Sequence, residues 1–273
     1  MIYEKRTLNL KGQAPDVQLT VYAMDNSPEV DAQRVRPAVL VCPGGGYAFR
    51  SFREAEPVAL RLLAQGFQAM VLDYSVAPIT FPAQLLQVLT AIHEIRTHAE
   101  EWHVNPDRIA VMGFSAGGHL TASAGVFWSK PHYAQLIGLT PEQVKPNALI
   151  LGYPVISSDT TVSHGASIRN LLGDTYDALK DTVSLEHQVD EHTPPTFLWH
   201  TWNDASVPVE NALRFASALR AHKVNAEVHI YMDGPHGLSL ANDQVYGDQH
   251  ADSIRPACQN WIDMAAIWLR SLA

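Results

Sequence analysis

Residues 113–117 read Gly-Phe-Ser-Ala-Gly, a serine with a glycine two positions to either side. A serine hydroxyl is a weak nucleophile until a base takes its proton and the backbone presents it clear of its neighbours. The G-x-S-x-G spacing meets the second need by sterics. A sharp strand-to-helix turn leaves no room for side chains at the flanking positions, and the helix N-terminus behind it favours negative charge. Ser115 is therefore the candidate nucleophile. The first need calls for an imidazole and a carboxylate to orient it, both following the serine in this arrangement. His236, in Gly234-Pro235-His236-Gly237, is singled out among 13 histidines because glycine and proline flank it just past a strand pattern. Asp204, in Trp202-Asn203-Asp204, also follows a strand and is the candidate acid, with Asp190 as the alternative.

Acyl transfer at a serine creates an oxyanion that needs backbone donors. The run Pro43-Gly44-Gly45-Gly46 exposes its amides for close approach. Gly45 and Gly46 are the candidate donors, joined by the Ala116 amide just after the serine. The run is not G-x-G-x-x-G and lacks the Lys-Ser/Thr of a phosphate-binding loop, so a nucleotide site is not expected. No H-E-x-x-H or C-x-x-C spacing occurs, and no metal or other cofactor is expected. Tyr47, Phe49 and Trp202 are bulky residues beside these motifs and are read as walls of a small substrate pocket.

These side chains are far apart in sequence, so secondary structure must gather them. Short apolar runs alternate with amphipathic stretches. Strands are predicted at 37–42, 67–73, 108–113, 147–152, 196–200 and 227–231. Helices are predicted around 58–63, 85–102, from 116 onward, 209–222 and 254–269. Strands separated by helices pair in parallel with right-handed crossovers. Nearly continuous apolar strands imply a sheet covered on both faces. Residues 8–10 and 17–22, around Gly12, predict an antiparallel hairpin at the sheet edge. Ligands gather at the C-terminal ends of parallel strands, where Ser115, Asp204 and His236 all fall. Residues 156–193 are polar and longer than an ordinary crossover. They are read as a lid-like insertion over the strand ends, within a single domain spanning 1–273.

Composition narrows the classes. The chain has 273 residues, 47% of them hydrophobic, and a net charge of −9. Disorder is excluded by the apolar content, and general nucleic-acid binding by the charge. No apolar run reaches the length of a membrane span, and the charged N-terminus does not read as a leader. Two cysteines form no disulfide framework. A cytoplasmic protein with a small-molecule partner is expected, and its oligomeric state is left open.

These motifs, together with Tyr74-Ser75-Val76-Ala77-Pro78, Asn105-Pro106-Asp107-Arg108-Ile109 and the stretch from Thr193 through Pro208, resemble the α/β-hydrolase superfamily. Within it the chain is similar to bacterial carboxylesterases and acetyl esterases related to hormone-sensitive lipase and to polysaccharide-directed esterases. The likeness runs from about residue 37 to 272. Here Cys42-Pro43 stands where the oxyanion motif usually opens with histidine. The resemblance implies Ser115 as nucleophile, Asp204 as acid, His236 as base, and the Gly45, Gly46 and Ala116 amides as oxyanion hole. It also implies hydrolysis of short acyl esters, acetyl above all, with acetylated carbohydrates as a candidate substrate. A prolyl-oligopeptidase-type peptidase and a non-catalytic receptor on the same fold are the rival readings.

Overall fold

The computed structural model describes residues 1–272. Its centre is one eight-stranded sheet. The strands are β1 (Ile2–Leu8), β2 (Val17–Ala23), β3 (Arg36–Cys42), β4 (Gln68–Asp73), β5 (Val104–Phe114), β6 (Ala148–Gly152), β7 (Thr196–Thr201) and β8 (Ala226–Tyr231). The spatial order is β1-β2-β4-β3-β5-β6-β7-β8. Every pair from β4 through β8 is parallel, whereas β1–β2 and β2–β4 are antiparallel.

The six parallel strands fall where the apolar runs predict them. Successive side chains of a strand point to opposite faces, and the two cores divide by that parity. Ala38, Leu40, Ile109 and Val111 join one core, and Val39, Val41, Ala110 and Met112 join the other. Two-sided burial is why these strands lack a polar alternation.

Helices α1 (Glu56–Ala64) and α2 (Ala83–Thr97) flank β4, and α3 (Ala116–Phe127) leaves β5 directly. Two short helices, α4 (Pro131–Leu136) and α5 (Pro141–Val144), lead to β6. Between β6 and β7 the chain forms α6 (Gly165–Leu172) and α7 (Tyr176–Leu179), so the polar stretch 156–193 is partly helical. Helix α8 (Glu210–Ala221) joins β7 to β8, and α9 (Trp261–Ser271) closes the chain. Residues of α1 and α9 pack in one core, those of α2, α3 and α8 in the other.

Three expectations need correcting. The first strand of the edge hairpin is Ile2–Leu8, not 8–10. Its alternation is carried by charged residues, because Arg6 turns inward onto Glu94 and over the Trp102 ring. The closing helix begins at Trp261. The segment before it forms only short 3-10 turns, Asp248–Ser253 and Pro256–Cys258, with the Arg255 side chain tied to Asp233 and its amide to the Ala241 carbonyl. Helix α2 ends at Thr97, and Trp102 belongs to the turn that follows.

Candidate active site

Strands β3, β5, β7 and β8 run the same way, so the loops after Cys42, Phe114, Thr201 and Tyr231 emerge on one rim. Ser115 occupies the turn between β5 and α3 with φ 53° and ψ −120°, a conformation that a non-glycine residue rarely takes. Its amide donates to the Gly152 carbonyl at 3.0 Å, and its carbonyl accepts from Val155 and His119. The flanking glycines are required by contact. A Cβ on Gly113 would lie 2.1 Å from the Gly117 carbonyl oxygen, and one on Gly117 would lie 2.1 Å from the Cys42 carbonyl oxygen.

The three distant candidates meet here. His236 Nε2 stands 2.8 Å from Ser115 Oγ, and its Nδ1–H donates to Asp204 Oδ2 at 2.6 Å. An ionised carboxylate only accepts, so Asp204 places the ring proton on Nδ1 and leaves Nε2 free to take one. The other oxygen of Asp204 accepts from the Ser206 and Val207 amides at 2.9 Å each. Burial alone would push this carboxyl up. The hydrogen bond and charge of His236 and the two amides outweigh it and hold the carboxyl below the usual range. Asp190 lies elsewhere, accepting from the His192 amide in its own loop.

The glycine run approaches the serine from β3. The Gly44 amide is committed, donating to Glu54 Oε2 at 2.9 Å. The amides of Gly45, Gly46 and Ala116 donate to nothing among the described residues. Gly45 (φ 128°) and Gly46 (φ 64°) hold backbone angles that disfavour a side chain, and a Cβ on Gly45 would meet the Phe49 carbonyl oxygen at 2.2 Å. An open cavity of about 580 Å³ fronts the serine, lined by Gly45, Gly46, Phe49, His164 and His236 among others.

Of the three residues read as pocket walls, the structure places only Phe49 at the cavity. Tyr47 is 1% exposed, and its hydroxyl donates to His119 Nδ1 at 3.0 Å. The backbone turns here with positive φ at both Gly46 and Tyr47. Trp202 is 63% exposed and lies outside the cavity lining. It precedes Asn203, whose side chain instead grips Asp233 and the Gly234 amide.

Four residues near the site carried no signal in sequence. Glu54 is 3% exposed, and nothing in the run around it marks it as buried. Tyr153 lies against His236, ring centroids 5.1 Å apart and edge-on. From α6 and its leading turn, Asn170 donates to the Gly46 carbonyl at 2.8 Å, and His164 lines the cavity with Nδ1 2.8 Å from Ser167 Oγ. Burial lowers the His164 imidazole, and the nearby charge of His236 lowers it further against the opposing pull of Asp204. Insertion residues reveal their place only when the insertion folds back.

No helix among the described residues is long and apolar enough to cross a membrane. The family described as BD-FAE matches residues 26–219. Endo-1,4-beta-xylanase B of Butyrivibrio fibrisolvens is 36% identical over 222 residues, which are 77% of this chain and 34% of that protein. The acetylxylan esterase of Xylanibacter ruminicola is 32% identical over 220 residues, 78% of this chain and 43% of that one. The chain thus spans less than half the length of either relative. Among solved structures, an acetyl ester-xyloside bifunctional hydrolase of Caldicellulosiruptor lactoaceticus aligns with a TM-score of 0.80 and 38% identity, over 94% of this chain and 88% of that one. A carboxylesterase of Lactobacillus plantarum aligns with a TM-score of 0.88 and 31% identity, over 99% and 97%.

Proposed function

Since the chain belongs to the BD-FAE family and has an α/β-hydrolase fold, we propose that it is a serine carboxylesterase that removes short acyl groups, acetyl above all, from hydroxyl-bearing substrates such as carbohydrates. The observation that carries this reading is the continuous hydrogen-bonded line from Asp204 through His236 to Ser115 beside three unengaged amides.

Ser115 Oγ attacks the ester carbonyl carbon while His236 Nε2 takes the hydroxyl proton. The carbonyl oxygen becomes an oxyanion held by the Gly45, Gly46 and Ala116 amides. His236 returns the proton to the leaving alkoxide, and the alcohol departs. Water then attacks the acyl-serine with His236 again as base, releasing the carboxylic acid and restoring the serine. Asp204 stays ionised throughout and stabilises the imidazolium formed in each half. The acetyl preference is supported by the acetylxylan esterase and the acetyl ester-xyloside hydrolase to which the chain is similar.

The test compares p-nitrophenyl acetate with p-nitrophenyl octanoate and a panel of acetylated sugars, alongside labelling by a fluorophosphonate. The wild-type chain turns over acetate faster than octanoate and is labelled at Ser115. Ser115→Ala keeps the circular dichroism spectrum but loses both turnover and label. Faster cleavage of an X-Pro p-nitroanilide than of any ester would replace the reading with a peptidase. Absence of both turnover and label would replace it with a receptor.

A further inference from the structure

Glu54 is a buried carboxylate that the reaction above does not use. It belongs to a single helical turn, Phe52–Glu54, between the glycine run and α1. Its two oxygens point to two different parts of the site. Oε2 accepts from the Gly44 amide at 2.9 Å, at the head of the oxyanion loop. Oε1 accepts from the Tyr153 hydroxyl at 2.6 Å. That hydroxyl in turn accepts from the Ser239 amide at 2.9 Å, in the loop that carries His236. The Tyr153 ring meets the His236 ring edge-on. The adjacent Arg53 repeats the connection, donating from Nη1 to the Gly237 carbonyl at 3.0 Å. A Cβ on Gly44 would fall 2.7 Å from Glu54 Oε2 and 3.1 Å from Ser115 Cβ, so the carboxylate lies close behind the nucleophile.

We propose that Glu54 is a positioning residue that fixes the oxyanion loop relative to the catalytic base, through the Gly44 amide on one side and the Tyr153 hydroxyl on the other. The inference rests on the esterase reading above. Its chemistry is that of an acceptor with two demands. A carboxylate accepts from both donors at once, whereas a carboxamide of the same shape accepts on one side only. In Glu54→Gln the amide nitrogen either faces the Gly44 N–H and loses that tie, or faces Tyr153, whose hydroxyl must then accept from it as well as from the Ser239 amide and is left with its own proton unpaired. The Gly44 tie also explains why the donors of the oxyanion hole begin at Gly45. Once Gly44 points its N–H at the carboxylate, the next two amides are the ones left unengaged.

The experiment measures kcat and KM for p-nitrophenyl acetate in Glu54→Gln, Tyr153→Phe and the double variant, with rates normalised to sites labelled by fluorophosphonate and folding followed by thermal melting. We expect kcat per labelled site to fall by about 10²-fold in either single variant, the scale of a small misplacement of reacting groups. KM changes little, because the ground-state contacts of the substrate remain. The double variant is no worse than the weaker single one, since both cut the same line of hydrogen bonds. Tyr153→Phe carries the test if Glu54→Gln does not fold. A folded, fully labelled variant with wild-type kcat would overturn the proposal, as would strictly additive losses. A lower melting temperature with unchanged kcat would assign the pair to stability alone. Failure of the esterase reading looks different: the wild-type chain itself would then hydrolyse no ester, and the inference would fall with it.

Discussion

His236 Nδ1 lies 2.6 Å from Asp204 Oδ2, and the aspartate side chain is wholly shielded from solvent. The pair joins the loop after β7 to the loop after β8, and it fixes which imidazole nitrogen faces Ser115. Asp204→Asn keeps the shape of this contact but offers either an amide donor or a neutral acceptor to the ring, which disturbs the tautomer. A fall in kcat of about 10³–10⁴-fold on p-nitrophenyl acetate is expected, by analogy with other triad acids. Asp190→Asn should leave kcat near wild type. Equal effects of the two substitutions would dismiss Asp204 as the acid.

The elbow is packed backbone on backbone. Gly117→Ala drives a methyl group to within 2.1 Å of the Cys42 carbonyl oxygen, where no flexible side chain can yield. We expect a loss of ~3 kcal/mol or more in urea unfolding, at the upper end for overpacking. Gly247→Ala, with nothing within 4 Å of the added carbon, is the control and should be close to neutral. A soluble Gly117→Ala protein of wild-type stability and rate would contradict the elbow geometry.

Tyr47 and Phe49 are two residues apart but should respond to different measurements. Tyr47→Phe leaves the buried Nδ1 of His119 without its donor and should cost about 1–3 kcal/mol of stability. Phe49→Ala, at 62% exposure on the cavity rim, should alter the ratio of acetate to octanoate turnover and leave the melting temperature within a degree or two. The converse pattern would show that the cavity wall has been misassigned.

Burial lowers both the His119 and His200 imidazoles from an ordinary 6.5 to about 4. His119 Nε2–H donates to the Val183 carbonyl at 2.9 Å, and His200 Nδ1 accepts from the Thr201 amide at 2.9 Å, so both rings sit neutral in the core. The unfolded chain takes up a proton on each near 6.5, whereas the folded chain does so only near 4. Between those values the unfolded state binds more protons, and stability falls as pH falls. The two rings together remove on the order of 6 kcal/mol by pH 4. Urea midpoints recorded from pH 7.5 to 4.5 measure this, and a flat series below 6.5 would refute it.

Much of this site is legible in the chain because its chemistry is local in origin. Gly113 and Gly117 announce the elbow, since only a hydrogen fits between turn and neighbouring loop. The uninterrupted apolar strands announce a sheet covered on both faces. Asp204 and His236 each follow a strand closely, and parallel pairing then puts them on the rim with Ser115. What the sequence could not decide is the direction of side chains set by contacts distant along the chain. Tyr47 reads as a pocket wall until His119, on α3, draws its hydroxyl inward. Glu54 carries no signal of its own until Gly44 and Tyr153 close around it. A motif records what its own backbone requires. A buried acceptor records which distant donors the fold has brought within 3 Å, and that is set only when the elements pack.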